Sequence, residues 1–121
     1  MESRTCPVLI CDDSMLIRKK LRATLEAMHC QVYEAKNGLE CVEMFKLHTP
    51  NTVFLDIVMP ELDGLEALKQ IKQCDKSARV IMLSSTGTAK KLLEALKNGA
   101  TDFIQKPYTK DQIAKAIGYI E

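Results

Sequence analysis

The sequence predicts an α/β fold, five strand–helix units (βα)5 doubly wound into a parallel five-stranded sheet with helices on both faces. Two observations carry the prediction. Val8-Leu9-Ile10-Cys11, Thr52-Val53-Phe54-Leu55 and Val80-Ile81-Met82-Leu83 are almost unbroken apolar runs, as strands buried on both faces are. Between such runs lie longer stretches whose apolar residues fall three or four apart, the period of an amphipathic helix. Right-handed crossovers between parallel strands then put helices on both sides of the sheet.

The first strand, 8–11, ends at Asp12-Asp13. From Ser14 to about Met28, Ile17, Leu21 and Leu25 recur every four residues. Arg18, Lys19, Lys20 and Arg22 fill much of the other face, so the run reads as solvated, with Ser14 as N-cap. A short strand is expected at 31–35. Asn37 and Glu40 resemble a capping box for a helix carrying Leu39, Val42, Met44 and Phe45, which Pro50 stops. The third strand, 52–55, ends at Asp56 and a loop, 57–64, follows. Leu65, Leu68 and Ile71 mark the third helix, with Asp63 as a loop or helix-start acid. The fourth strand, 80–83, ends at Ser84-Ser85. Residues 89–98 form a helix expected to turn Leu92, Leu93 and Leu96 inward, with Gly99 in the left-handed position beyond its end. The last strand, 102–105, ends at Lys106-Pro107. Thr109 and Gln112 are a capping box for a helix carrying Ile113, Ala116, Ile117 and Ile120.

At 121 residues the chain reads as a single domain, 1–121. A domain of this size buries roughly two-thirds of its unfolded surface, so it needs no disulfide or structural metal. A net charge of +1 argues against a dedicated nucleic-acid binder. Five cysteines, none in a C-x-x-C pair, speak against a disulfide framework or zinc site and suit a reducing cytoplasm. Cys11 and Cys41 read as small core residues, and His29 and His48 as structural. The start of the chain has no apolar signal segment, and no run approaches the ~20 residues of a membrane span.

The chemistry-bearing residues share one kind of position. Asp12 and Asp13, Asp56, Ser84 and Lys106 each follow a buried strand, and in a parallel sheet all those ends lie on the rim where ligands bind. Three acids, one hydroxyl and one ammonium would converge there. Two like charges about 4 Å apart repel by roughly 4 kcal/mol at an effective dielectric of 20, and one lysine cannot neutralise three carboxylates. The acids therefore take up protons or bind a hard dication, and an all-oxygen set suits Mg²⁺. A carboxylate beside Mg²⁺, a lysine and a hydroxyl is equipped to become an acyl phosphate.

Asp12-Asp13, the stretch from Asp56 through Pro60 to Gly64, Ser84-Ser85, and Gly99 through Lys106-Pro107 together resemble the receiver domain of two-component response regulators, of the stand-alone chemotaxis type. The resemblance covers essentially the whole chain, and four motifs in order, each at a strand end, make it specific. It implies a flavodoxin-like strand order, 2-1-3-4-5, and a signalling switch rather than a turnover enzyme. By resemblance, Asp56 accepts a phosphoryl group from a histidine kinase. Asp13 and Asp56 ligate Mg²⁺ with the Val58 carbonyl, and Asp12 does so directly or through water. Lys106, its bond to Pro107 cis, pairs with the phosphoryl oxygens, and Ser84 moves to bond them, with small Ser85 leaving room. Phe103 is the aromatic that swings inward when Ser84 moves. A target protein would read the face of the fourth helix, fifth strand and fifth helix, on or near which Lys90, Lys91, Tyr108 and Lys110 are expected. The resemblance also implies a cytoplasmic monomer that inserts in no membrane and contacts no nucleic acid directly.

Val58 stands two residues after Asp56, where an amide or acid would orient attacking water. Valine cannot, so slow self-dephosphorylation and an external phosphatase are expected. Three other readings compete. A haloacid-dehalogenase-like phosphatase wants an acid at Val58. A flavin or nucleotide carrier wants a phosphate-cradling loop where Asp12-Asp13 stand. The chain as the receiver of a longer DNA-binding regulator is neither supported nor opposed by the sequence.

Overall fold

In the computed structural model, which describes residues 6–85 and 87–118, five strands alternate with five helices: β1 (Cys6–Cys11), α1 (Met15–Ala27), β2 (Cys30–Ala35), α2 (Gly38–His48), β3 (Thr52–Asp56), α3 (Gly64–Cys74), β4 (Arg79–Ser84), α4 (Ala89–Lys97), β5 (Asp102–Gln105) and α5 (Lys110–Ile117). The strands are all parallel and lie in the order β2-β1-β3-β4-β5, the flavodoxin-like order. β1, β2 and β4 begin one or two residues earlier than the apolar runs suggested, because Cys6, Pro7, Cys30 and Arg79 already pair with their neighbours. Ile120 lies outside the described residues.

Period-two alternation divides the core. Leu9, Cys11, Val53, Leu55, Val80 and Met82 pack with Phe45, Leu68, Ile71 and Ala95 under α2, α3 and α4. Val8, Ile10, Phe54, Ile81, Leu83 and Ile104 pack with Leu21, Leu25 and Ile113 under α1 and α5. This two-sided burial explains why the strand sequences run apolar without alternating.

The helix starts are set by short polar side chains. Ser14 accepts from the Ile17 N–H, Asn37 from Glu40 and Asp63 from Glu66. Thr109 and Gln112 close a full capping box. At Asn37 the box is displaced, since the Glu40 carboxylate accepts from the Lys36 N–H at 2.9 Å. Gly99 takes φ 103°, as its place after α4 requires.

Two apolar assignments are overturned. Leu39 is 52% exposed, and α2 turns Cys41, Val42 and Phe45 inward. Leu93 is 61% exposed, and Ala95 is the one fully buried residue of α4. Leu92 and Leu96 are partly covered. The cause is the sheet edge: β5 has four residues, only Ile104 of them buried, too little surface to cover a three-leucine stripe.

Candidate functional site

Parallel register brings the strand ends to one rim. Asp56 pairs with Leu83, and Ser84 with Gln105 just before Lys106. The loop after Asp56 folds back on the strand, with the Gly64 N–H donating to the Ile57 carbonyl at 2.9 Å. A β-carbon at Gly64 would lie 2.0 Å from the Asp56 carbonyl oxygen, so glycine is required there by close approach.

Asp12, Asp13 and Asp56 each bring a carboxylate oxygen within 4.8 Å of the others. Asp12 and Asp56 are buried, whereas Asp13 is exposed. Lys106 Nζ donates to Asp12 Oδ2 at 2.8 Å and to Asp56 Oδ2 at 3.2 Å, and its N–H donates to the Ser84 carbonyl at 2.8 Å. Asp12 Oδ1 accepts from the Ser14 N–H at 2.9 Å, and Asp56 Oδ1 from the Val58 N–H at 3.3 Å.

These neighbours shift the acid and the base in the same direction. Burial and the adjacent Asp12 charge push the Asp56 carboxyl above the ordinary aspartate value, despite Lys106. Burial opposes the Lys106 ammonium, but its hydrogen bond to Asp12 and the charges of Asp56 and Asp12 hold it above the ordinary lysine value. The asymmetry is physical: the lysine faces two acids, while Asp56 faces a lysine and another acid. Three carboxylates against one ammonium leave an anionic, all-oxygen pocket, a donor set that fits a hard dication.

Ser84 is buried, and its Oγ donates to the Ile104 carbonyl at a long 3.5 Å. Ser85 is exposed at the rim, its turn closed by the Thr88 hydroxyl donating to the Ser85 carbonyl at 2.7 Å. Phe103 is 44% exposed and pairs with Met82, two residues before Ser84, so it lies on the same side of the sheet as Ser84. The Val58 side chain is half-exposed and lines a hollow with Gly87, Thr88 and Lys91. The Lys106-Pro107 peptide is cis.

Other expectations divide. Cys11 and Cys41 are buried and free, as expected. His48 stacks on Tyr33 with ring centroids 3.8 Å apart. Lys90 and Lys91 are exposed on α4. Tyr108 packs with the cluster under α1 and α5, and Lys110, the first residue of α5, lines a groove beside Lys20 and Thr24 of α1. Both lie at the entry to α5, one of the three elements of the expected face. Arg18 departs from the solvated reading of its helix face. Its side chain is 13% exposed, pairs with Glu34 at 3.0 Å and donates to the Asp12 carbonyl at 2.7 Å. Sequence reasoning missed it because Glu34 is sixteen residues away, and the charge pattern of one helix does not name its partner.

The comparisons agree with this geometry. Chemotaxis protein CheY of Bacillus subtilis is 43% identical over 111 residues, covering 91% of this chain and 92% of that one. CheY of Halobacterium salinarum is 44% identical over 110 residues, with coverage of 91% and 92%. A receiver domain protein from Clostridium thermocellum superposes with TM-score 0.90 at 28% identity, covering 93% of this chain and 91% of that one. The CheX-CheY-BeF3-Mg+2 complex from Borrelia burgdorferi contains a chain similar at TM-score 0.85 and 33% identity, with coverage of 95% and 90%. With the strand order, the acid cluster and Lys106 where the sequence motifs placed them, and residues 8–118 matching the response regulator receiver domain, the chain belongs to the receiver domain family.

Proposed function

We propose that this protein, a phosphorylation-activated switch of the chemotaxis response-regulator kind, takes its phosphoryl group on Asp56. The observation that carries the reading is Asp56 itself: buried, bonded to Lys106 at 3.2 Å, and sharing a 4.8 Å cluster with Asp12 and Asp13. An Asp56 carboxylate oxygen would attack the phosphorus of a kinase phosphohistidine. The new O–P bond forms as the N–P bond breaks, and the histidine nitrogen keeps the electron pair.

Asp13 and Asp56 would hold Mg²⁺ with the Val58 carbonyl, and Asp12 directly or through water. When bound, the ion neutralises the acids and the oxygens of the transferred group. Lys106 would keep one donor on the phosphoryl oxygens. Ser84 would leave the long bond to Ile104 for the stronger phosphoryl acceptor, with Ser85 leaving space beside it. Phe103, on the same side of the sheet, would then enter the volume that Ser84 vacates. The target protein would read the α4–β5–α5 face, where Leu93, Phe103, Lys90 and Lys91 are exposed.

We read residues 1–121 as one receiver domain, a cytoplasmic monomer partnered by a sensor histidine kinase, a target protein and, given Val58, a phosphatase. Among the described residues no helix is long and apolar enough to cross a membrane. The decisive experiment is exposure to a small phosphodonor with Mg²⁺, followed by intact mass and peptide mapping. One phosphoryl group on Asp56 is expected, absent in Asp56→Asn and in EDTA. Modification elsewhere, or steady phosphate release from many phosphoesters, would refute the reading.

A further inference from the structure

Asp12 is held at all four of its polar groups. Its N–H donates to the Ala35 carbonyl at 3.1 Å. Its Oδ1 accepts from Ser14, its Oδ2 from Lys106 and its carbonyl oxygen from Arg18 Nη1. The first three bonds fix the end of β1 and the Asp12 carboxylate. The fourth fixes the peptide plane that joins Asp12 to Asp13. Rotation of that plane re-aims Asp13, whose side chain is exposed and enters no ion pair among the described residues.

Arg18 is itself braced. Its Nε lies 3.0 Å from Glu34 Oε1 on β2, Glu34 Oε2 lies 2.6 Å from Arg22 Nη1, and Arg22 Nε lies 2.9 Å from Glu26. Two arginines and two glutamates cancel in charge, so the network adds little net field at the rim. What it adds is position. A planar guanidinium serves two acceptors at fixed angles, whereas an ammonium offers charge without that fork.

We propose that Arg18 is a positioning residue of the cation site: braced by Glu34, it fixes the Asp12–Asp13 peptide and so aims the Asp13 carboxylate at the point it shares with Asp56. The inference rests on the cation reading above and deepens it. Groups that orient a metal's ligands typically govern affinity by 10–100-fold.

The test is Mg²⁺ titration calorimetry on the full chain and on Arg18→Lys, Arg18→Met and Arg22→Met. Both Arg18 variants should bind Mg²⁺ about tenfold more weakly. Arg22→Met keeps both Arg18 bonds and should stay within about twofold. Pure electrostatics predicts the opposite order, since deleting a positive charge beside an anionic pocket tightens cation binding. In the cation-free protein, hydrogen exchange at the Ser14 amide should quicken in Arg18→Lys and not in Arg22→Met, a contrast that general destabilisation would not produce. Unchanged Mg²⁺ affinity in Arg18→Lys, or tighter binding in Arg18→Met, overturns the proposal and leaves the cation reading standing. A native chain that binds no Mg²⁺ sinks both.

Discussion

Beside α1 and β2 four charged side chains interlock above a buried helix face, whereas α4 and β5 bury one residue each. In the first region Arg18, Arg22, Glu26 and Glu34 interlock, and Leu21 and Leu25 are fully buried. In the second, α4 buries only Ala95, Leu93 and Phe103 are exposed, and the Ser84 hydroxyl makes one long hydrogen bond. Asp12 and Asp13 follow β1 on the braced side, and Asp56 ends β3 between the two regions. The residues expected to move sit on the loosely covered side, where rearrangement costs little packing. On the proposed reading, holding charge and changing shape fall largely to different parts of the molecule.

The largest expected effect tests that division by stability. Leu21→Ala removes a side chain that is 1% exposed and should cost about 2–5 kcal/mol, the usual range for emptying a packed site. Leu93→Ala, on a helix of the same fold, should change stability by no more than about 0.5 kcal/mol. Urea unfolding of both variants measures the difference. Equal losses would mean that α4 is as firmly seated as α1.

The same contrast explains what the sequence made legible. Strands were readable because two-sided burial leaves continuous apolar runs, as at Val53-Phe54-Leu55. Caps were readable because Ser14, Asn37 and Thr109 are the residue types that satisfy free helix N–H groups. The site acids were readable because each interrupts an apolar run at its end. What stayed hidden depended on a neighbour distant in sequence. Periodicity defines the stripe of Leu92, Leu93 and Leu96 but not the width of β5, which leaves Leu93 in solvent. Arg18 counts as one basic residue among several until Glu34 of β2 is brought beside it.

A smaller effect sharpens the comparison at the seam between the regions. Val58 stands beside Asp56 yet lines the hollow against α4, and its side chain is 50% exposed. It can present no donor or acceptor to water approaching a phosphorylated Asp56. Val58→Asn supplies one, and one hydrogen bond gained in the transition state is worth roughly three- to tenfold in rate. The half-life of the radiolabelled phosphoprotein should shorten by about that factor. Equal lifetimes would remove Val58 as a ground for expecting slow dephosphorylation.

The smallest expected effect asks whether charge or packing holds the braced region together. Burial raises the Glu34 carboxyl, but hydrogen bonds from Arg22 and Arg18 outweigh it and hold the group below the ordinary glutamate value. A carboxyl whose pKa is lowered by folding contributes stability above its unfolded value of about 4.5 and loses it as acid titrates the folded form. Glu34→Gln should therefore destabilise the protein at neutral pH by about 0.5–1 kcal/mol, a figure kept small because the side chain is 29% exposed. The gap between the two proteins in urea should close as the pH falls below the ordinary glutamate range. If it persisted there undiminished, the shape of the Glu34 side chain rather than its charge would be what steadies Arg18. The brace would then work in acid as well as at neutral pH.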